Sequence, residues 1–445
     1  MFIIDTALAE RISARDPVRV GLVGGGFMAR GIAIQVERHV EGMTIAAIAN
    51  RTLSHAIEAF RDAGVEHPVR VGTPDELDEH VRAGRCVVAD DPAVLAQAES
   101  LEGIIDATSD IEYSARVAVD AIDGGKPLVT MNADMDATVG PLLKTRADLA
   151  GLIYSGSDGD QPGTIMNLYR YAKTVGYQPV LAGSVKGFKD ARRTPVTQRE
   201  FAAKFGLSPQ AATAAADGTR ISMEQAVVAN ATGFRVGRRG MYGPERAHVT
   251  QVVDAFPVDE LLQQGMVDYL VGAQPYPAVF VMGYSEDSTR QRYMRYFKMG
   301  DGPFYVFYTP FHLAHLEAPL TAARAILLRD AAIAPAGGPQ CDVLAVAKRD
   351  LKPGDVLDGV GGFTAYGEID NSAAIAEDGL LLMGLAAGGR VVRPVSQDRP
   401  ITLEDVELDD GRLTVQLRRE QDALFSQGSF DGSSETCVQL VEGWI

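Results

Sequence analysis

Cysteine is nearly absent from this chain: three residues in 445, at Cys86, Cys341 and Cys437. They lie far apart and none stands at CxxC spacing, which excludes a disulfide framework and a cysteine zinc site and fits a reducing, cytoplasmic setting. Long apolar runs are missing too. No stretch approaches the ~18 continuous apolar residues of a membrane span, so no membrane partner is expected. Asp5 and Glu10 stand where a signal peptide would be apolar, and MFIIDTALAERISARD reads as a short amphipathic lead-in helix. Basic residues are in deficit: 42 Lys+Arg against 59 Asp+Glu gives 42 − 59 = −17. A generally basic nucleic-acid surface is thereby excluded, because phosphate neutralisation dominates that affinity.

What is present points to a soluble enzyme-sized chain. A single core stops growing at about 250–300 residues, so 445 residues imply two to four domains. Apolar residues make up 46% of the chain, enough for a real core. The 46 glycines follow no period, which excludes collagen-like and linker-like readings.

Pro17 opens the run VRVGLVGGGFMARGIAIQVE. Val18, Val20, Leu22 and Val23 suit a short apolar strand. Gly24-Gly25-Gly26-Phe27-Met28-Ala29 fits GxGxxG/A, and residues 27–37 have helical composition. Strand, glycine turn and helix is the order of the dinucleotide fingerprint. Gly24 permits the tight turn, Gly26 lets the backbone approach a pyrophosphate at the helix N-terminus with Phe27 and Met28, and Ala29 permits close packing. A second strand, residues 43–49, ends in Asn50-Arg51-Thr52. An NAD enzyme usually carries Asp or Glu there for the ribose 2′-OH. Here a neutral Asn50 removes repulsion and the Arg51 guanidinium can pair with a 2′-phosphate, so the expected cofactor is NADP(H). The alternation continues with a strand at 102–108, a helix at 113–123 and a strand at 126–132. Their ends place Thr108, Ser109 and Asn132 where open α/β sheets hold ligands.

The middle of the chain gathers cations. SGSDGDQPG (155–163) reads as a polar, glycine-rich loop, followed by a helix at 164–175 and a strand at 180–185. Residues 186–194 then carry Lys186, Lys189, Arg192 and Arg193 against one acid, Asp190. Arg235, Arg238 and Arg239, and then Arg290, Arg292, Arg295 and Lys298, form two further basic groups. In so acidic a chain these favour a small phosphorylated or carboxylated substrate. Residues 309–330 read as a mostly helical segment interrupted by Pro319. His312 and His315, three apart on one helical face, suit packing or capping better than metal binding. APAGGPQ (334–340) reads as a linker, after which short strands and Gly-rich turns are expected to the C-terminus. The last 45 residues hold ten acids and three bases, a poor anion site.

Gly24 to Ala29, the Asn50-Arg51-Thr52 ending and the TMNAD run at 130–134 resemble homoserine dehydrogenase-type nucleotide domains. SGSDGDQPG with LAGSVKGFKD resembles a homoserine dehydrogenase-like subfamily, and AKRDLKPGDVL resembles a SAF domain, found at that subfamily's C-terminus. Over nearly the whole chain the sequence is similar to the 1-deoxy-D-xylulose 5-phosphate reductoisomerase-like enzymes. The motifs of the ordinary reductoisomerase are not visible.

The resemblance implies an α/β fold in three blocks: a Rossmann-type NADP-binding domain (1–155), an α+β catalytic and dimerisation domain (156–333) with a return helix near 309–330, and a small β-rich SAF-like domain (334–445). It implies a cytoplasmic homodimer that converts 1-deoxy-D-xylulose 5-phosphate to 2-C-methyl-D-erythritol 4-phosphate by rearrangement and reduction, in isoprenoid precursor synthesis. That chemistry needs an acid–base pair, a cation beside the enolate and alkoxide, and a phosphate pocket. Lys186, Lys189 and Asp160 are the catalytic candidates, and Arg192 and Arg193 the phosphate candidates. Asp158 and Asp160 offer oxygen ligands to Mg²⁺ or Mn²⁺, with the need for a metal left open. Two other readings stay open: a homoserine dehydrogenase-like NADP enzyme without rearrangement, and a non-catalytic NADP-binding sensor.

Overall fold

A computed structural model describes residues 3–426. The chain forms two compact units, each discontinuous in sequence. The first takes residues up to Asp160, Leu313–Gly338 and the segment from Gly411; the second takes Gln161–His312 and Pro339–Asp410. The sequence reading expects three consecutive blocks instead.

The first unit is built on seven strands: β1 (Val18–Val23), β2 (Met43–Ala49), β3 (Val69–Arg70), β4 (Val87–Ala89), β5 (Gly103–Asp106), β6 (Leu128–Thr130) and β7 (Tyr154–Gly156). All neighbours pair in parallel, in the order β3-β4-β2-β1-β5-β6-β7. Helices cover both faces, so β1, β2 and β5 are near-continuous apolar runs. Leu22, Ile45 and Ile48 are fully buried, each contributing roughly 1.5–3 kcal/mol of apolar burial. β1 has β2 on one side and β5 on the other, so the chain reverses its strand order there. Ligands of such sheets sit outside the carboxyl ends of those strands.

The stretch after β6 and the C-terminal stretch differ from the sequence reading. Residues 126–132 form only a short strand, and Asn132 caps a helix, Ala133–Leu149, that the reading does not contain. This helix is buried along most of its length, so it shows no amphipathic stripe, and Pro141 lies inside it. The C-terminal stretch, expected as strands and turns, carries a helix, Leu413–Ser426, in the first unit. The two helices pack together, and Pro141 explains how. Beside the helix break made by Pro141, the Gln421 side chain accepts from Leu142 N at 3.0 Å and donates to Thr138 O at 3.3 Å. The part of that expectation beyond residue 426, with Cys437, lies outside the described residues.

In the second unit β8 (Gln178–Lys186) pairs in parallel with β9 (Met266–Val271) and antiparallel with β10 (Val279–Tyr284), which pairs with β11 (Phe304–Thr309). The helices Gln161–Thr174 and Thr219–Thr232 pack on this sheet. The first begins earlier than expected, because Pro162 suits a first helical turn. β12 (Cys341–Ala347) and β13 (Ala365–Asn371) form an antiparallel pair against the Thr219–Thr232 helix.

The segment read as a helix from residue 309 starts as strand and becomes helical only at Ala314. His312 therefore precedes the helix and shares no helical face with His315, whose ring lies against Gly31 in the first unit. No helix among the described residues is long and apolar enough to cross a membrane.

Candidate functional site

The first unit's fingerprint folds as a nucleotide cradle. Gly24 follows β1 with φ +126°, a conformation L side chains avoid, and a Cβ there would lie 3.0 Å from the carbonyl of Ala107. Gly26 is the N-cap of the helix Phe27–His39, with no side-chain cap and no acid in the first turn. A Cβ on Gly26 would meet nothing within 4 Å. The helix thus presents uncapped N–H groups and the positive end of its dipole to open space, with Phe27 and Met28 exposed beside it. These residues fit the pyrophosphate of a dinucleotide.

At the end of β2, Asn50 turns back on the chain, its Nδ2 donating to Thr52 O at 2.8 Å. Thr52 is the N-cap of the helix Leu53–Ala63. The Arg51 guanidinium lies 4.6 Å from the Tyr113 ring centroid and makes no ion pair among the described residues. Burial pushes the Tyr113 hydroxyl up to about 12, against the pull of Arg51. That hydroxyl is buried with no hydrogen-bond partner among the described residues.

The ends of β5 and β6 are tied by one carboxylate that the sequence reading passed over. Asp106 is fully buried and accepts from Thr108 N at 3.0 Å, Thr108 Oγ1 at 2.7 Å, Thr130 Oγ1 at 3.2 Å and the Ser114 hydroxyl. Burial raises its pKa, offset in part by these donors. Thr130 Oγ1 in turn accepts from Asn132 N, and Asn132 Oδ1 accepts from Met135 N as a helix cap. Thr108 and Asn132 therefore belong to one network, while Ser109 stands exposed beside it. The signal for Asp106 was present in EGIIDAT as an acid inside an apolar strand.

Asp158 and Asp160 close the turn after β7. Asp158 is buried, its Oδ1 accepting from Gly159 N at 2.8 Å, and it shares a hydrogen bond with Glu317. Burial and then the Asp158 charge raise the Glu317 pKa. Among the described residues no three His, Cys, Asp or Glu side chains gather as a metal site. Asp160 is the last residue of the first unit.

The second unit holds the cationic candidates. Lys186 ends β8, and its Nζ lies 3.3 Å from Glu224 Oε2 on the Thr219–Thr232 helix. Ser184, two residues back and on the same face of the strand, has a buried hydroxyl without a partner among the described residues. Lys189 runs across Gly218, which caps that same helix, and places its Nζ 5.9 Å from the Tyr269 ring centroid. Lys189 makes no ion pair among the described residues. The two arginines are held otherwise. Arg192 donates to Asp398 at 2.5 Å and to Lys348 O at 3.3 Å, and Arg193 donates to Asp190 at 2.9 Å. Behind them the buried Lys348 ammonium donates to Asp217 at 2.7 Å, to Gly362 O and to Arg193 O.

Comparison with known proteins adds to this geometry. Residues 159–318 match the family model for the catalytic domain of oxidoreductase DRL. The match covers the middle of the chain. It spans Asp160, Lys186, Lys189, Arg192, Arg193 and Glu224. Residues 343–407 match the SAF domain, a narrower span than the 334–445 expected. No curated protein matches the chain. Among solved structures, a putative oxidoreductase from Klebsiella pneumoniae is 16% identical over 39% of this chain and 44% of its own, with a TM-score of 0.24. The chain thus spans less than half of that relative's length. A probable dehydrogenase from Thermotoga maritima is 10% identical over 72% of this chain and 91% of its own, TM-score 0.41. The 1-deoxy-D-xylulose 5-phosphate reductoisomerase from Zymomonas mobilis, in complex with NADPH, is 13% identical over 61% of this chain and 65% of its own, TM-score 0.37.

Proposed function

We propose that this oxidoreductase uses NADPH to rearrange and reduce a small ketose phosphate, 1-deoxy-D-xylulose 5-phosphate being the substrate of choice. The observation that carries this reading is the Lys186–Glu224 pair inside the segment matched to an oxidoreductase catalytic domain. The uncapped helix behind Gly26 and the Arg51 guanidinium, without an ion pair among the described residues, support the cofactor.

Bound NADPH supplies the hydride. The chain's own residues handle protons and charge. Asp160 accepts the proton of a substrate hydroxyl, which lets the neighbouring C–C bond break to an enolate and an aldehyde. The Lys186 ammonium donates a hydrogen bond to the developing oxyanion, and Glu224 holds that ammonium in place. Bond formation in the new register gives a branched aldehyde. Reduction places hydride on its carbon and a proton from Lys186 on its oxygen. Lys189 is the alternative donor. Arg192 and Arg193 meet the phosphate by exchanging their carboxylate partners for it. A homodimer acting on a small anion, with neither nucleic acid nor membrane as partner, completes the proposal.

The test follows NADPH absorbance with purified protein against ketose phosphates and amino-acid semialdehydes, with and without Mg²⁺ or Mn²⁺. Oxidation with the ketose phosphate and a branched polyol phosphate as product is the expected outcome. Turnover with a semialdehyde alone would reduce the function to a simple dehydrogenase. NADPH binding without any turnover would leave a sensor.

A further inference from the structure

A cavity of about 500 Å³ lies at the carboxyl edge of the parallel sheet in the first unit. Arg51, Asp91, Asp110 and Tyr113 line it, and so do Gly411 and Leu413 from the distant C-terminal segment. Its size lies within the usual range for a small-molecule site, roughly 300–1,000 Å³. The acids around it are already engaged. Asp91 accepts from Ala93 N at 3.0 Å and Asp110 from Tyr113 N at 2.7 Å, each capping a helix. Asp90 pairs with Arg70 at 3.2 Å. Glu112 accepts from the backbone N–H groups of Leu413 and Thr414 and so clamps the start of the helix Leu413–Ser426. Helix N-termini and a guanidinium thus offset four carboxylates. Among the described residues Arg51 differs from them in having no counter-charge, and the buried Tyr113 hydroxyl beside it has no partner. A flat guanidinium on an aromatic ring, with apolar Leu413 and Pro92 in the same lining, suits a base and an anion together.

We propose that Gly411–Leu413 forms a wall of the pocket that takes the adenosine 2′-phosphate end of NADPH. Cofactor recognition is then shared between Arg51, after β2, and a segment that follows the SAF-matching residues. Glu112 is the positioning residue that fixes this wall. The inference rests on the reading of NADPH as cofactor and adds to it the origin of the wall.

The experiment titrates NADPH and NADH into the full-length protein by nucleotide fluorescence. Leu413→Asp places a carboxylate against the 2′-phosphate, with Leu413→Met as the conservative control. Leu413→Asp should weaken NADPH about tenfold or more and NADH less, with a lower melting temperature because Leu413 packs against the core of the first unit, while Leu413→Met binds normally. Unchanged NADPH affinity in a folded Leu413→Asp variant would overturn the proposal. If that variant does not fold, hydrogen exchange on the wild type decides: NADPH should slow the amides of Leu413 and Thr414, and no slowing overturns the wall. A wild type that binds no NADPH fails the cofactor reading itself, a result distinct from intact binding that ignores Leu413.

Discussion

Lys186 Nζ lies 3.3 Å from Glu224 Oε2, with only 11% and 6% of the two side chains exposed. An ammonium and a carboxylate this deep must be kept together, because either one alone would be a poorly solvated charge. The pair thus combines a structural role with the proposed chemical one, and substitutions can separate them. Lys186→Arg keeps a cation beside Glu224 but loses the compact, deprotonatable ammonium. Its melting temperature should stay near wild type while kcat falls roughly 10²-fold or more and NADPH affinity holds. Lys186→Ala should lose the same activity and also destabilise the fold by about 3–5 kcal/mol, the scale for breaking a buried pair. Full turnover in Lys186→Arg would reduce Lys186 to a structural residue and make Lys189 the leading candidate.

Arg51 carries the cofactor prediction. Its guanidinium is stacked on Tyr113 and free of ion pairs among the described residues. Arg51→Ala should weaken NADPH by ~1.5–3 kcal/mol, the scale of a hydrogen bond to a charged group, and leave NADH little changed. Equal affinities for the two nucleotides in the wild type would contradict the reading of this loop.

The nucleotide half was legible because its signals are local. β1, β2 and the glycine turn are contiguous in sequence, and each residue type has a single physical reason to be there. Glu224 was not legible: its helix is buried almost all round, so no polar stripe marks one acid as special, and its partner is set by tertiary pairing of a strand end with a helix. The helix Leu413–Ser426 was missed for a different reason. Its Leu413, Leu417 and Leu424 give a helical stripe, but the acid-rich surroundings and the short strands before it suggested more of the same. Gln421 replacing a hydrogen bond beside Pro141 is a contact across hundreds of residues that no local pattern encodes.

Arg192 and Arg193 test the phosphate. Replacing both with Met should raise KM for the ketose phosphate more than it lowers kcat, since ground and transition states lose the same contact. The ion pair with Asp398 makes a second variant informative. Asp398 sits at φ +64°, a conformation Asn also tolerates, so Asp398→Asn removes the competing charge without backbone strain. It should lower KM. Unchanged kinetics in both variants would leave these arginines as surface ion pairs.

Asp136 sets a pH dependence of stability. Fully buried, it accepts a hydrogen bond from Tyr154 at 2.8 Å, and burial raises its pKa to about 6. The unfolded carboxyl titrates near 3.9, so the folded state binds the proton more tightly. Stability from this group is therefore fully present below about pH 4 and is lost as pH rises through about 6. The loss reaches up to ~3 kcal/mol. Asp136→Asn keeps an acceptor for Tyr154 and removes the charge. Denaturant unfolding should show the variant more stable than wild type at pH 8 and level with it at pH 4. Parallel pH profiles would mean that Asp136 is already solvated in the fold.

Gly24 and Gly26 stand two residues apart in one motif, yet the structure assigns them opposite failures. Gly24 has φ +126°, and a Cβ would press on the Ala107 carbonyl. Gly24→Ala should therefore cost the folded state roughly 1–3 kcal/mol, whether or not nucleotide is present. Gly26 has extended backbone and open space where its Cβ would go. Gly26→Val should melt like wild type, because nothing in the protein is displaced. A pyrophosphate held on the N-terminus of the helix Phe27–His39 needs that same space, so this variant should lose NADPH and NADH alike. Melting curves and nucleotide titrations on the two variants separate the cases. A Gly26→Val protein that bound NADPH normally would place the pyrophosphate away from this helix, and the cradle would be only a tight turn.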